Sequence, residues 1–461
     1  MITLENRFFL LRNVVCFFVE GGIIVASVLA SFFIMERFTP QGAIGFDQAV
    51  LRGGVVAFFC QACMYLLDLY DLKQSRSCGE IFFSLIFAVG VVCIGIGLVS
   101  YVAPRFSVEG NMYYLTILFV TILLFVWRMA FDLYLTNWAP RTNLIVVGTG
   151  TSAQLMAEEI RKRNRNGFNF VGFVGNPTPG WSGPEEVIGT YKEMNAIVQR
   201  HKIRKVVSAM NERRGESPVQ EFLALKVAGV PVIEWQSFFE QLAGRIPIDN
   251  LPPSYFIYSE GFRKSAVVLL MRRVISILVS ILMIVLLSPI FLLTMGAILL
   301  DSPGPVFYTQ RRVGLNGKVF RIFKFRSMKR DAEASGAPIW AQQDDPRITR
   351  VGKVIRLLRI DELPQVFNVL KGDLDLVGPR PERPEFVEKL KVMVPYFDLR
   401  HTVRPGLTGW AQIMFSYSGS IEESKEKLQY DLFYIKNMSL KLDLYILFST
   451  VKIVLLGRGA R

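Results

Sequence analysis

The chain has 461 residues and a formal net charge of +14; hydrophobic residues make up 51% and charged residues 20%. This composition excludes a small soluble domain and favours membrane segments joined to water-facing domains, and the length allows two to four units. In residues 302–461, 27 Lys and Arg stand against 17 Asp and Glu, an excess that suits anionic lipid headgroups or anionic substrates. We predict no nucleic-acid partner, because no helix-turn-helix, zinc-finger or RNA-recognition motif accompanies the apolar segments.

The scarcity of histidine and the placement of cysteine limit the chemistry further. His201 and His401 are the only histidines, which gives little support to His-based zinc hydrolysis or to a Ser–His relay. All five cysteines lie in apolar sequence between residues 16 and 93. This placement is typical of membrane residues rather than of a zinc site or a disulfide framework. A catalytic metal would therefore need oxygen ligands.

Four apolar segments open the chain, at residues 14–35, 49–69, 81–103 and 112–131. Each is near the length that crosses about 30 Å of hydrocarbon as a helix, so residues 1–140 are predicted to form a four-helix transmembrane bundle. No small-residue cleavage site follows the first segment, which is therefore predicted to be a retained span. The bias of Lys and Arg in the connecting loops favours a cytoplasmic N-terminus, and four crossings return the chain to that side.

Residues 141–243 are predicted to form a Rossmann-like α/β domain. Short β-rich runs alternate with helical stretches, beginning with NLIVVG at residues 143–148, and this alternation is typical of a parallel sheet. Gly148, Gly150 and Ala153 make a candidate nucleotide loop, because glycines let backbone N–H groups approach a pyrophosphate at a helix N-terminus. Against this, the second strand ends at Asn176, where an acidic residue would be expected to bind a ribose. The alternative is a scaffold or dimerisation domain.

A linker rich in proline and aromatic residues is predicted at 244–270, followed by a membrane helix at 271–301. Residues 274–300 carry no charge, and Ser288-Pro289 interrupts them. A proline inside a helix removes one backbone hydrogen bond and clashes with the preceding turn, so we expect a break that folds the helix back as a re-entrant hairpin. The alternative is a fifth straight span, which would put the basic last third outside the membrane, against the positive-inside bias.

Residues 302–461 are predicted to form an α-rich, monotopic catalytic domain. Asn316-Gly317 suits a two-residue turn between alternating strands, so we expect a short β-hairpin there. Two cations, Lys324 and Arg326, follow the second strand of this hairpin. The apolar stretch near the end of the chain, at 440–456, is predicted to lie at headgroup depth.

Adjacent carboxylates among arginines are the strongest functional signal in the chain. Asp361 and Glu362 lie between Arg356 and Arg359 on one side and Arg380 on the other. An ionised Asp can attack phosphorus, a neighbouring Glu can hold Mg²⁺, and guanidinium groups can neutralise the oxygens of a transferring phosphoryl group. The pattern predicts phosphoryl transfer, with Asp361 and Glu362 as catalytic residues and as Mg²⁺ ligands.

Asp361 also has a structural interpretation as the N-cap of a helix that carries Pro364 in its first turn. The two interpretations are compatible. A helix N-terminus stabilises an ionised carboxylate and offers backbone N–H groups to a phosphate.

Seven short motifs in this domain closely resemble those of the bacterial polyprenyl-phosphate hexose-1-phosphate transferases, a family of sugar transferases. They are KFR at 324–326, DPR at 345–347, DELPQ at 361–365, NVL at 368–370, GD at 372–373, GPRP at 378–381 and RPGLTG at 404–409. The whole chain also resembles the large form of this family, with four spans, a Rossmann-like domain and a re-entrant catalytic unit. Asp375 and Trp410 depart from the family pattern, in which a small polar residue and an aliphatic residue are common.

The resemblance implies transfer of a hexose-1-phosphate from a UDP-sugar to undecaprenyl phosphate with release of UMP, the first step of an exopolysaccharide, capsule or O-antigen repeat. Asp361 would form a covalent phospho-sugar intermediate, Glu362 would bind Mg²⁺, and Ser288-Pro289 would be the break in the re-entrant helix. The protein would lie in the bacterial inner membrane among its lipids, with cytoplasmic soluble domains. A homodimer is also expected.

The resemblance and the charge pattern together predict the residues that bind the donor. They are Lys324, Arg326, Arg356, Pro379, Arg380, Pro381, Arg383 and Arg404. For Lys324, Arg326, Arg383 and Arg404 the alternative is a solvated or lipid-facing cation.

Two rival functions remain open at this point. A membrane-anchored nucleotide-sugar dehydratase or epimerase would need a Tyr-x-x-x-Lys pair, and no tyrosine in the chain has a lysine four residues on. A non-catalytic scaffold for polysaccharide assembly would release no UMP from any UDP-sugar.

Overall fold

The computed structural model describes residues 4–38, 45–67, 69–70, 78–102, 110–137, 141–162, 167–176, 187–210, 218–251, 253–329, 345, 347–415 and 420–455. The chain divides into two compact units, Met1–Val232 and Ile233–Arg461. Each unit has its own hydrophobic core.

Four long helices begin the first unit: α1 (Leu4–Phe38), α2 (Phe46–Leu66), α3 (Cys78–Val102) and α4 (Gly110–Asn137). Their buried side chains are mainly aliphatic, while many large apolar side chains on their other faces are exposed, as expected of helices that face lipid. Counting one helix of the second unit, five described helices are long and apolar enough to cross a membrane. The chain is accordingly a membrane protein with several apolar helices.

A buried ion pair joins α1 to α4. Arg128 Nε lies 2.5 Å from Glu20 Oε1 and Arg128 Nη2 lies 2.9 Å from Oε2, with both side chains almost fully buried. Arg128 also donates to the main-chain oxygen of Leu69. Charged groups inside apolar bundles are costly unless they pair in this way, so the contact explains how the first apolar segment accommodates Glu20.

The α/β region contains β1 (Thr142–Val147), α5 (Thr151–Lys162), β2 (Phe168–Val174), β3 (Val187–Gly189), α6 (Met194–Arg200), β4 (Lys205–Ser208), α7 (Val219–Val227) and β5 (Val232–Glu234), and β5 begins at the last residue of the first unit. The sheet order is β3-β2-β1-β4-β5, and β1 pairs in parallel with both β2 and β4. The prediction of an α/β region with a parallel sheet is confirmed. Strand β3 was not predicted.

The second unit contains nine α-helices within the described residues: α8 (Trp235–Ala243), α9 (Pro253–Tyr258), α10 (Ala266–Asp301), α11 (Arg350–Leu357), α12 (Gln365–Lys371), α13 (Pro384–Met393), α14 (Trp410–Met414), α15 (Ile421–Asn437) and α16 (Leu440–Leu455). Four short 3-10 helices accompany them, at Ile248–Asn250, Leu315–Gly317, Ile360–Glu362 and Phe397–Thr402. Two small sheets complete it: the antiparallel pair β6 (Phe307–Val313) and β7 (Val319–Phe325), and the parallel pair β8 (Asp375–Val377) and β9 (Gly406–Thr408).

The segment that follows α8 packs into the core of the second unit. Trp410 Nε1 donates to Gly244 O at 2.7 Å, and Gly244 ends α8 in the left-handed region with a φ of 67°. Ile246 and Tyr255 are buried with residues of α13, α15 and α16. Much of the stretch predicted as a linker is therefore an ordered part of this unit.

Helix α10 runs continuously from Ala266 to Asp301 with Pro289 inside it. Its first turn is capped by Ser265, whose Oγ accepts from Val267 N at 3.3 Å. The Ser288 hydroxyl donates to Val285 O at 2.9 Å and thus bonds to the turn that the proline disturbs. The predicted break is not an end of the helix, because helical structure continues on both sides of Pro289.

The predicted β-hairpin is present, with β6 and β7 paired from Val313–Val319 to Phe307–Phe325. The two-residue turn was wrong, since residues 314–318 separate the strands. Asn316 and Gly317 both have positive φ, 53° and 76°, and Gly314 N donates to Lys318 O at 2.8 Å. Asn-Gly therefore supplies the left-handed residues of a five-residue loop.

Candidate active site

The β6–β7 hairpin is held against α12 by one buried amide. Asn368 is fully buried; its Nδ2 donates to Arg321 O at 2.7 Å and its Oδ1 accepts from Phe323 N at 2.9 Å. This clamp fixes the strand that carries Lys324 relative to the turn before α12. Asn368 lies in the NVL motif, but the sequence predicted no role for it, because its contacts join residues more than 40 positions apart.

A short 3-10 helix, Ile360–Glu362, holds the two adjacent carboxylates. Arg359, the residue before it, has a φ of 54°, a left-handed conformation that is uncommon for a residue with a side chain. Helix α12 begins only at Gln365. The N-cap interpretation of Asp361 was therefore wrong, because a sharp turn at Arg359 places the carboxylates ahead of the helix.

Glu362 is surrounded by cations. Its Oε1 lies 2.9 Å from Lys324 Nζ and 2.6 Å from Arg380 Nη2, and its Oε2 lies 4.0 Å from Arg359 Nη1. Burial opposes ionisation, but Arg380 and Lys324 outweigh it and hold the pKa of Glu362 well below its usual value. Glu362 is therefore an ionised carboxylate that fixes two cations at the site.

Asp361 has a different environment in the same turn. It is 9% exposed and has no hydrogen bond or ion pair with the residues that the structure describes. Burial raises the pKa of Asp361, the charge of Glu362 adds to this, and the cations of Lys324, Arg356 and Arg380 oppose it. An ionised carboxylate of raised pKa is a stronger nucleophile, and no contact here blocks its oxygens.

Arg380 reaches the site from the loop that follows β8. The loop crosses the Arg404–Gly406 stretch so closely that a Cβ on Gly378 would lie 2.5 Å from Arg404 O. Gly378 N donates to Thr408 O at 2.9 Å, and Gly406 N donates to Pro379 O at 3.0 Å. The prolines of the motif sit in this crossing, which explains why glycine and proline surround Arg380.

The other predicted donor-binding residues fall into two groups. The side chains of Arg356, at the end of α11, and Arg404, before β9, make no hydrogen bond or ion pair with the described residues, so they remain available to a ligand. Arg326 is 6% exposed and donates to Ser302 O at 2.6 Å and Pro303 O at 3.1 Å, so it holds the turn after α10. Arg383 caps α13.

The DPR motif forms its own ion pair. Asp345 lies 2.5 Å from Arg347 Nη2 and is almost fully buried. Hydrogen bonds from Arg347 lower the pKa of Asp345 to about 2. The pair stands next to the N-cap of α11, where Thr349 Oγ1 accepts from Gly352 N at 2.9 Å, and it shapes the start of the basic helix.

The candidate nucleotide loop lies in the first unit. Gly148 follows β1 with a φ of 120°, and a Cβ there would lie 2.6 Å from Ala209 O. Gly150 precedes α5, and Ala153 is buried in the first turn of that helix. The close approach of β1 to β4 is sufficient reason for Gly148, and the loop's ligand stays a prediction.

The carboxylate pair fits a shared Mg²⁺. Among the described residues no three His, Cys, Asp or Glu side chains cluster, but Mg²⁺ commonly takes one or two carboxylates and completes its shell with substrate phosphates and water. Glu362 Oε2 lies 3.4 Å from Arg380 and 4.0 Å from Arg359, farther from its cations than Oε1. Mg²⁺ binding by Glu362 Oε2 and the carboxylate of Asp361 stays a prediction.

Comparison with known proteins adds two family matches. Residues 267–457 match the bacterial sugar transferase family, and residues 65–232 match a CoA-binding domain family. The first match contains the whole carboxylate site.

Three relatives have names that describe transfer of a sugar phosphate to undecaprenyl phosphate. A UDP-N-acetylgalactosamine-undecaprenyl-phosphate N-acetylgalactosaminephosphotransferase of Aeromonas hydrophila is 45% identical over 52% of this chain, which spans only about half (56%) of that relative. An undecaprenyl-phosphate glucose phosphotransferase of Komagataeibacter xylinus is 31% identical over 86% of this chain and 75% of its own length. A putative undecaprenyl-phosphate N-acetylgalactosaminyl 1-phosphate transferase of Bacillus subtilis is 51% identical over 30% of this chain and 76% of its own.

Proposed function

The chain belongs to the bacterial sugar transferase family, and we propose that it transfers a hexose-1-phosphate from a UDP-sugar to undecaprenyl phosphate. The proposal rests mainly on the different contacts of two adjacent carboxylates in one turn. Asp361 is unpaired, while Glu362 beside it is held by Lys324 and Arg380. One carboxylate is thus free to attack, and the other anchors cations where a diphosphate would bind.

The first chemical step is attack by an Asp361 oxygen on the phosphorus that bears the hexose. A bond forms between Asp361 Oδ and that phosphorus, the bridging P–O bond breaks, and UMP leaves with the bonding electrons. Lys324, Arg356 and Arg380 stand near enough to Asp361 to shift its pKa, so they also stabilise the charge that grows on the phosphoryl oxygens.

The second step regenerates the carboxylate. A phosphate oxygen of undecaprenyl phosphate attacks the same phosphorus, the bond to Asp361 breaks, and the hexose leaves on a lipid-linked diphosphate. Two displacements at one carboxylate let a water-soluble donor and a membrane acceptor use the site in turn.

Mg²⁺ belongs to the proposal, with Glu362 and Asp361 as its protein ligands. When bound, the ion would neutralise the diphosphate and make UMP a better leaving group. The chain's own cations would orient the donor: Lys324 and Arg380, which Glu362 holds, and Arg356 and Arg404, whose side chains have no ion pair with the described residues.

A membrane-surface location for the site is supported by exposed apolar side chains on two helices. Leu444, Phe448 and Val451 of α16 are each more than half exposed, as are Val354 and Leu357 of α11, just before the carboxylates. Such faces suit insertion at headgroup depth, where the acceptor phosphate resides. We place the protein in the bacterial inner membrane, with α1 to α4 crossing, α10 bent at Pro289 as a re-entrant element and the catalytic unit cytoplasmic; a homodimer stays a prediction.

Release of UMP from a panel of UDP-sugars, measured in detergent with undecaprenyl phosphate, tests the proposal. The wild type should release UMP from at least one donor, and Asp361→Asn should lose this activity at least about 1,000-fold. Asp398→Asn makes the same change at a carboxylate with a 63% exposed side chain and should retain activity. A wild type that releases no UMP from any donor would support the scaffold function instead.

A further inference from the structure

Most main-chain oxygens of the loop that carries Arg380 accept hydrogen bonds. Five of the six carbonyls from Val377 to Glu382 accept hydrogen bonds from described residues. Pro379 and Pro381 have no N–H, so the loop has few donors of its own with which to form regular structure. The groups that bind these carbonyls therefore help to hold the loop in its conformation.

Three of the carbonyls are bound by guanidinium groups from distant parts of the unit. Arg272 of α10 donates to Val377 O at 2.9 Å, and Arg312 of β6 donates to Pro381 O at 3.0 Å. Arg400, from the 3-10 helix, donates to Arg380 O itself, at 2.9 Å. Arg400 is the closest of the three to the functional side chain, since it holds the same residue by its backbone.

Arg400 is buried and balanced by charge. Its Nη2 lies 2.8 Å from Asp431 Oδ2, and these two side chains are 4% and 2% exposed. Arg400 also lies 4.0 Å from Glu382 Oε1, to which Lys427 donates at 2.5 Å. Lys427 and Arg400 hold the pKa of Glu382 well below its usual value against the effect of burial, whereas burial raises the pKa of Asp431 despite the charge of Arg400.

Such a cluster is a poor source of stability. Removing paired charges from water costs about as much as their attraction returns, and apolar replacements are often neutral or stabilising. The cluster does fix the orientation of Arg400, because a guanidinium group held by a carboxylate presents its remaining N–H groups at defined positions. Here one of those positions is the Arg380 carbonyl.

We propose that Arg400, oriented by Asp431, is a positioning residue. By binding the main-chain oxygen of Arg380, it keeps the Arg380 side chain on Glu362. Arg400 does not reach the substrate, because its side chain is 4% exposed and its Nη2 is bonded to the Arg380 carbonyl. This inference rests on the proposed function for its catalytic readout. Its structural readout, the order of the loop, is independent of that function.

The first experiment is hydrogen–deuterium exchange at residues 377–383 in detergent-purified protein. Arg400→Gln should speed exchange of the loop amides by at least about tenfold, because the Arg380 carbonyl loses its anchor. Arg400→Lys keeps the positive charge opposite Asp431 and an N–H donor, and its loop amides should exchange at a rate between those of the wild type and Arg400→Gln. Arg311→Gln, the same kind of change at an exposed strand position, should leave the loop unchanged.

The second experiment is a double-mutant cycle on UMP release. Arg400→Gln should lower kcat about 10- to 100-fold, as expected when a catalytic contact is displaced without being deleted, and it should change KM far less. In an Arg380→Gln background the same change should cost little more, since coupled residues are not additive.

Two results would overturn the inference. Unchanged loop exchange in Arg400→Gln shows that Arg400 does not set the loop, whatever the activity is. Losses of kcat that multiply in the double mutant show that Arg400 does not act through Arg380. A lower thermal midpoint with an unchanged kcat shows a general structural role. A wild type inactive on every UDP-sugar counts against the proposed reaction and leaves the exchange result to decide this inference.

Discussion

At the scale of single residues, Glu362 pairs with two cations at once, at 2.6 Å to Arg380 and 2.9 Å to Lys324. These contacts join a turn, a strand and a loop, so one carboxylate sets the positions of three elements. A neutral amide of the same shape would keep hydrogen-bonding capacity but would leave two partly buried cations without their counter-charge.

Glu362→Gln is expected to lower kcat about 100- to 1,000-fold, the range found when one preorganised electrostatic contact is removed. If Glu362 also binds Mg²⁺, the concentration of Mg²⁺ that gives half-maximal UMP release should rise. Steady-state kinetics across a Mg²⁺ titration measures both effects. Wild-type kcat in this variant would contradict the assigned role, and Glu385→Gln on the exposed side of α13 is the matched control.

Residue roles were predictable where the partners are near in sequence. Asp361, Glu362 and Arg380 fall within 20 positions, and their chemistry alone suggested phosphoryl transfer. The left-handed turn at Arg359 was not predictable, because no glycine or asparagine marks it. The partnership of Arg400 with Asp431 joins side chains 31 positions apart, and no local pattern encodes such a contact.

At the scale of elements, the β6–β7 hairpin and α12 depend on each other through Asn368. Its side chain satisfies the Arg321 carbonyl and the Phe323 amide, both on β7. The sequence predicted the hairpin from its Asn-Gly pair, yet the alternation of residues did not reveal that the loop has five residues instead of two. Loop length depended on where cross-strand pairing could end, which is a tertiary property.

Asn368→Ala should destabilise the second unit by about 2 kcal/mol, because it leaves the Phe323 N–H and the Arg321 carbonyl, both in partly buried hydrogen bonds, without their partner. Activity should fall as well, since the hairpin carries Lys324. Thermal unfolding in detergent and UMP release measure the two effects. Asn437→Ala, which removes an amide of α15 that bonds to Glu240, tests whether loss of any amide contact has the same effect on kcat. Unaltered stability in Asn368→Ala would contradict the clamp.

At the scale of the whole molecule, the apolar segments and the α/β region were the most predictable features, because length and periodicity identify them directly. The stretch after α8 was harder to interpret. Its prolines and aromatic residues suggested a linker, but Ile246 and Tyr255 are buried in the second unit. Aromatic residues of this kind pack on whatever surface their own chain presents, and the sequence does not identify that surface.

The topology of the chain follows from whether α10 crosses the membrane. With α1 to α4 crossing and α10 bent at Pro289, a cysteine introduced at the 85% exposed Val392 should resist a membrane-impermeant maleimide in intact cells and react after permeabilisation. Ser107→Cys, in the predicted external loop, should react in intact cells. Labelling of Val392→Cys from outside would show that α10 crosses.

The stability of the catalytic unit should fall in mild acid because of His401. Burial, together with Arg400, lowers the pKa of His401 to about 4, from a usual value of 6.5. The unfolded chain therefore binds the proton first, and stability is lost as the pH falls from 6.5 towards 4, by up to about 3 kcal/mol. Thermal midpoints at pH 7 and 5 should differ less in His401→Gln than in the wild type; His201→Gln, at an exposed position, should not reduce the difference.

The central claim is that Asp361 becomes covalently bonded to a sugar phosphate. Mass spectrometry of protein quenched in acid after incubation with a UDP-sugar, without the lipid acceptor, tests it most directly. The account predicts a hexose-phosphate adduct on the peptide that contains Asp361, its absence in Asp361→Asn, and its loss when undecaprenyl phosphate is added. Lipid-linked product formed at the wild-type rate by Asp361→Asn, with no adduct in either protein, would contradict it.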